Sequence, residues 1–185
     1  MSNIVPFGDR VVVELVEEAY DGVIFIAERR NASLHSLGKV TCATKLSGVN
    51  VGDVVMFQYN STVADACSFQ FNGKTSLSLN PKDVLCKLAS NKIDIEAITM
   101  VGNWVLVSPF INTPKSGIIL PDTATTSAPE QVRFRLVKAG QDAVDVNKRP
   151  AGTELVLNKN YVNRLKIGAD EYAYISQDNV LAAIE

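Results

Sequence analysis

At 185 residues, 46% of them hydrophobic and 21% charged, the chain has an ordinary globular composition and room for one medium domain or two small ones. A net charge of −2, with Arg29-Arg30 and Lys148-Arg149 as isolated doublets and no basic stripe carrying aromatics, argues against a nucleic-acid partner. No apolar run reaches the roughly 18–20 residues of a membrane span, so no membrane role is expected.

The opening "MSNIVPFGDR" lacks the charged and apolar regions of a secretory signal. Cys42, Cys67 and Cys86 are odd in number, widely spaced and without a CxxC, which points to free thiols in a reducing compartment. The expected location is therefore the cytoplasm.

Taken in chain order, the apolar runs are short and bounded by Gly, Asn, Asp or Pro, as strands are. "DRVVVELVEE", "DGVIFIAE", "GKVTCAT", "GDVVMFQY" and "KDVLCKL" occupy the first half. Between the halves, "KLASNKIDIEAIT" (87–99) is the one helix-tolerant stretch, and its centre reads as a linker. The second half continues with "GNWVLVSP", "SGIILPD", "VRFRLVKAG", "TELVLNK" and "EYAYIS". In "RFRLVK", Phe134 and Leu136 alternate with Arg133 and Arg135, the pattern of a sheet with one wet face. Many short strands without βα alternation predict an all-β fold of small barrels or sandwiches.

The chain also repeats itself. "FGDRVVVELVEE" aligns with "VGNWVLVSPFIN", "YDGVIFIAE" with "KSGIILPDT", "GVNVGDVVMFQYN" with "KRPAGTELVLNKN", and "LNPKDVLCKL" with "ISQDNVLAAI". Four landmarks recur in one order at an offset of about 95–100 residues. The expected organisation is a first domain over 1–88, a linker over 89–98 and a second domain over 99–185. Val11, Val13, Val55, Phe57, Leu136 and Val180 are the expected core.

These landmarks resemble the GroES-type co-chaperonins. "VPFGDRVVVELVEE" is similar to that family's opening strand, "VNVGDVVMF" to its Val-Gly-Asp turn and next strand, and "SGIILPD" to its mobile loop. "GADEYAYISQDNVLAAIE" is similar to the closing hairpin and last strand. The resemblance implies two tandem GroES-like β-barrel domains that cap a GroEL-like chaperonin ring and assist ATP-dependent folding, the ATP being the chaperonin's. It implies that Gly117 allows a bend and that Ile118, Ile119 and Leu120 bind the chaperonin, with Val23, Ile24 and Phe25 as the counterpart set. The family's roof hairpin has little room in "CATKLSGVN" and slightly more in "AGQDAVDVNKRPAG".

The residues around "SGIILPD" suit that role independently. Three consecutive aliphatics stand between Pro114, Ser116 and Gly117 on one side and Pro121 on the other, and "TATTSAPE" downstream reads as mobile chain. An apolar triplet on such an arm can order as it enters a partner's groove. Burying three aliphatic side chains gains roughly 1.5–3 kcal/mol each, and ordering the arm takes back roughly 2–5 kcal/mol. A single arm binds weakly, whereas several arms on one homo-oligomer bind strongly together.

Catalysis is not expected. His35 is the sole histidine and reads as a surface-loop residue, no nucleophile elbow accompanies it, and no P-loop, GxGxxG or EF-hand pattern occurs. No cofactor or metal is expected. Two-domain chains cannot evenly fill seven seats, whereas three such chains make a pseudo-sixfold ring. That arithmetic supports an alternative: a phage virion protein that decorates or cements a capsid through contacts with the viral capsid protein.

Overall fold

The computed structural model describes residues 4–16, 35–44, 48–58, 67–110, 133–167 and 169–184. Within them the chain is almost entirely β, in two antiparallel sheets consistent with two tandem β-barrel-like domains. The first sheet uses β1 (Val11–Val16), β2 (His35–Ala43), β3 (Val54–Gln58), β4 (Ser68–Phe71), β5 (Lys74–Leu79), β6 (Val84–Leu88) and β7 (Thr99–Met100). Their order across the sheet is β4-β5-β1-β2-β3-β6-β7. The second uses β8 (Trp104–Pro109), β9 (Arg133–Ala139), β10 (Glu154–Leu157), β11 (Asn163–Ile167), β12 (Asp170–Ser176) and β13 (Val180–Ile184), in the order β11-β12-β8-β9-β10-β13.

The second order is the first one repeated, strand for strand, without a counterpart of β7. Details repeat as well. Each opening pair is bulged at the same place, between Val12 and Val13 and between Leu106 and Val107. Around the turn before β3, Val40 N–H donates to the Asp53 carbonyl and Gly52 N–H to the Val40 carbonyl, both at 2.8 Å. Before β10, Leu136 N–H donates to Thr153 at 2.8 Å and Gly152 N–H to Leu136 at 2.7 Å. The turns entering β1 and β8 place Gly8 and Gly102 at φ +62° and +61°, a left-handed geometry that a residue with a Cβ adopts only at a cost.

Each sheet encloses its own core. Val11, Val13, Val40, Val55, Phe57, Leu77, Leu79 and Val84 pack together in the first half. Val105, Val107, Leu136, Leu155, Leu157, Ala173 and Ile175 do so in the second. Alternation along the strands puts these residues on one face. The other face of the first sheet is also covered: Leu37, Met56, Leu85, Cys86 and Leu88 pack with Leu106, Leu165 and Tyr174 of the second half. Ile93, Ile98 and Met100, from the stretch joining the halves, complete this shared cluster. The joining stretch is thus built into the interface.

Five expected core residues are buried, whereas Val180 is only partly covered at the sheet edge. His35 does not lie in a loop: it opens β2 and pairs with Gln58. Residues 87–99 form the end of β6, turns and the first residue of β7. Helix appears instead in the expected excursion, as α1 (Val144–Asn147), which drops Val146 and the preceding Ala143 into the second core. The hairpin β4–β5 falls where no strands were expected. Its tip, Asn72-Gly73, has φ values of 49° and 78°, the two left-handed residues of a tight hairpin turn.

Candidate docking segments and their anchors

β1 and β2 pair from Val11 opposite Ala43 to Val16 opposite Leu37, so residues 17–34 join the two strands at one end of the sheet. β8 and β9 pair from Val105 opposite Ala139 to Pro109 opposite Phe134, and residues 111–132 join them. In the repeated strand order these are the same connection. Val23, Ile24 and Phe25 belong to the first, and Gly117, Ile118, Ile119 and Leu120 to the second. All seven lie outside the described residues.

The strands that carry these connections are firmly seated. Val11, Val12 and Val13 are at most 2% exposed, as are Val105, Leu106 and Val107. Nearer the connections, surface ties take over. Lys74 Nζ meets Glu14 Oε2 at 2.8 Å, holding the outer half of β1 to β5. Arg133 Nη1 meets Glu154 Oε1 at 3.0 Å, tying the start of β9 to β10. The Phe110 N–H donates to the Arg133 carbonyl at 3.2 Å, and the Arg135 guanidinium sits 4.8 Å above the Phe110 ring. Exposed ion pairs add little stability, so their effect is to set where the chain leaves the sheet.

A concavity lies between the halves. This cleft of about 390 Å³ is bordered by Lys82, Asn103, Trp104, Gln141, Asp142 and Asp178 among others. Its polar groups serve one another: Asn103 Nδ2 donates to Asp178 Oδ2 at 3.1 Å, and Ser176 Oγ donates to the same oxygen at 3.2 Å. The Ser176 hydroxyl also accepts from the Asp178 N–H at 3.4 Å, which closes the turn into β13. The network shapes a chain reversal. Among the described residues no group of three or more His, Cys, Asp or Glu side chains could hold a metal ion. Nor is any described helix long and apolar enough to cross a membrane.

The fold and its two equivalent strand connections define a class: an all-β protein of repeated small antiparallel modules. Residues 3–88 match the family described as the chaperonin 10 kDa subunit, and the match ends with β6 at Leu88. The chain is also 28% identical over 87 residues to the co-chaperonin GroES of Kosmotoga olearia, covering 46% of this chain and 93% of that protein. Residues 3–88 are thus similar to the GroES-type family, and that similarity supports a co-chaperonin kind of function. The second half carries the same connectivity in its sheet.

Proposed function

We propose that the protein caps a GroEL-like chaperonin ring and assists ATP-dependent folding inside the enclosed chamber, without catalysing a reaction itself. The observation that carries this reading is positional. The apolar tripeptides Val23-Ile24-Phe25 and Ile118-Ile119-Leu120 fall in the same connection of two strand-for-strand equivalent sheets. The first of those connections lies inside the region that matches the family.

In this reading Ile118, Ile119 and Leu120 enter an apolar groove on the chaperonin, Gly117 permits the bend, and Val23, Ile24 and Phe25 form the counterpart set. Each contact is weak because ordering the segment offsets much of the gain from burial. Several together hold the cap, and losing a few lets it leave. No cofactor belongs to this chain; nucleotide is bound by the chaperonin.

The test is cosedimentation of the full chain with a GroEL-type chaperonin and ATP. The expected result is a nucleotide-dependent complex that Ile119→Asp abolishes and that Ile24→Asp weakens. Sedimentation of the cap and chaperonin as separate species under all nucleotide conditions would overturn the proposal.

A further inference from the structure

The end of the β8–β9 pair carries two diagonal side-chain contacts on the wet face of the second sheet. Ser108 lies opposite Arg135, and the hydrogen bond from Phe110 N–H to the Arg133 carbonyl continues the ladder one pair beyond Pro109 and Phe134. Phe110 is therefore diagonal to Arg135, a separation that an aromatic ring and a long side chain can span. They do span it, the guanidinium lying 4.8 Å from the ring centroid. On the other side of β9, Arg135 lies directly opposite Glu154. Yet Glu154 Oε1 is bound at 3.0 Å by Arg133, its diagonal neighbour. Among the described residues Arg135 has no carboxylate partner, and its charge rests on the ring.

The repeat supplies an internal control. Strand register places Val16, Lys39, Leu37 and Val54 in the first sheet where the second has Phe110, Arg135, Arg133 and Glu154. None of the four identities is kept. Lys39 lies opposite Glu14, whose carboxylate is bound by Lys74 from β5. A ring held by a guanidinium thus stands at the root of the second connection, and an aliphatic residue at the root of the first.

The stack does little for the fold. Arg135 is exposed, and Phe110 is partly buried and belongs to none of the three core clusters. A cation over a ring at the surface is a small contribution to stability. Its place gives it another effect. Phe110 is the last described residue before the connection 111–132, beyond the final strand pair. A segment whose first residue is already held loses less freedom when the rest orders against a partner.

We propose that Arg135 is the positioning residue of the second docking segment: by holding the Phe110 ring it fixes where residues 111–132 start, and it makes Ile118-Ile119-Leu120 the stronger of the two chaperonin contacts. This assignment rests on the capping function proposed above and adds to it an order of the two segments. Val23-Ile24-Phe25, rooted at Val16, orders at greater cost and contributes less. The gain for one segment is modest, and it multiplies wherever several such segments bind together.

The test is an equilibrium titration of the dye-labelled full chain with a GroEL-type chaperonin and ATP, run beside thermal melts. Arg135→Gln is expected to weaken binding about threefold or more. Arg135→Lys, which keeps a cation over the ring, recovers most of that loss. Phe110→Leu weakens binding to a similar degree, and adding Arg135→Gln to it costs little more, because both remove one contact. Melts of the two Arg135 variants superimpose on the wild type's, which separates positioning from general stability. If the wild type binds and Arg135→Gln binds equally well, the proposal is overturned. Fully additive losses in the double variant, or a loss that tracks the melts, overturn it too. A wild-type chain that fails to bind removes the capping function itself, and this assignment with it.

Discussion

The indole N–H of Trp104, the first residue of β8, donates to the main-chain carbonyl of Lys82 at 2.9 Å, joining the second half to the turn before β6. The same ring meets Tyr174 edge-on, with centroids 5.7 Å apart. Both lie against the cluster shared by the two sheets. Trp104→Phe keeps the aromatic contact and removes the donor, so it should lower unfolding free energy by about 1 kcal/mol. Calorimetry of the wild type should show one cooperative transition, since neither sheet can lose the shared cluster independently. Two resolved transitions would contradict that coupling.

Gly140 tests how tightly the turn before β8 is held. A Cβ there would lie 2.2 Å from the Gly102 carbonyl oxygen, inside any permissible contact. That oxygen cannot readily move away, because it accepts from the Asp142 N–H at 3.0 Å, while Gly140 N–H donates to the Trp104 carbonyl at 2.8 Å. Gly140→Ala should therefore cost about 2–3 kcal/mol, the upper part of the usual range for overpacking. Urea denaturation would show it as a lower midpoint with an unchanged slope.

Cys86 should be chemically silent. It is fully buried in the shared cluster, and burial pushes its thiol up to about 12, against a smaller opposing effect of a hydrogen bond with the Met56 backbone. Thiolate is the reactive form, so at pH 8 almost none is present. Alkylation of the native protein followed by peptide mass spectrometry should leave Cys86 unmodified, and labelling should appear only on unfolding. Rapid native labelling at Cys86 would contradict the packing of the halves.

Asp83 gives a pH dependence. Burial raises its pKa, outweighing the hydrogen bond with the Asn80 backbone and the charge of Arg10. An acid with a raised folded pKa favours the folded state when protonated. Its contribution is present below the unfolded pKa and lost as pH rises through the folded value. At neutral pH the ionised carboxylate therefore opposes folding. Asp83→Asn should melt higher than wild type at pH 7, and the difference should shrink as the pH falls below the ordinary carboxylate range.

Much of the fold was legible before any coordinates. Short Val- and Phe-rich runs bounded by turn residues mark the strands Val11–Val16 and Val54–Gln58, which bury successive residues, whereas a period-two alternation marks Arg133–Ala139. Hairpin β4–β5 is not legible in the strand pattern despite the Asn72-Gly73 turn, because "SFQF" and "KTSLSL" are too polar to stand out as strands. Val180 was expected in the core because its run matches that of Val84. Its partial exposure follows from its place at the sheet edge, where β13 pairs with β10 alone among the described residues, and no spacing within the run encodes that. The apolar tripeptides stand out by composition, whereas Val5, Phe7 and Leu181, all exposed, do not. Isolated apolar residues are ordinary in sequence and acquire meaning only when a fold leaves them uncovered.

The sequence by itself determined the all-β character, the repeat and the apolar tripeptides, because each follows from local spacing or from comparing one stretch with another. Tertiary structure alone decided that the halves share a core, that the joining stretch finishes the first sheet, and that β13 pairs with β10 alone among the described residues. Those facts depend on which strand edges and faces meet across long separations, and a peptide edge is satisfied or left waiting only once its neighbours are in place.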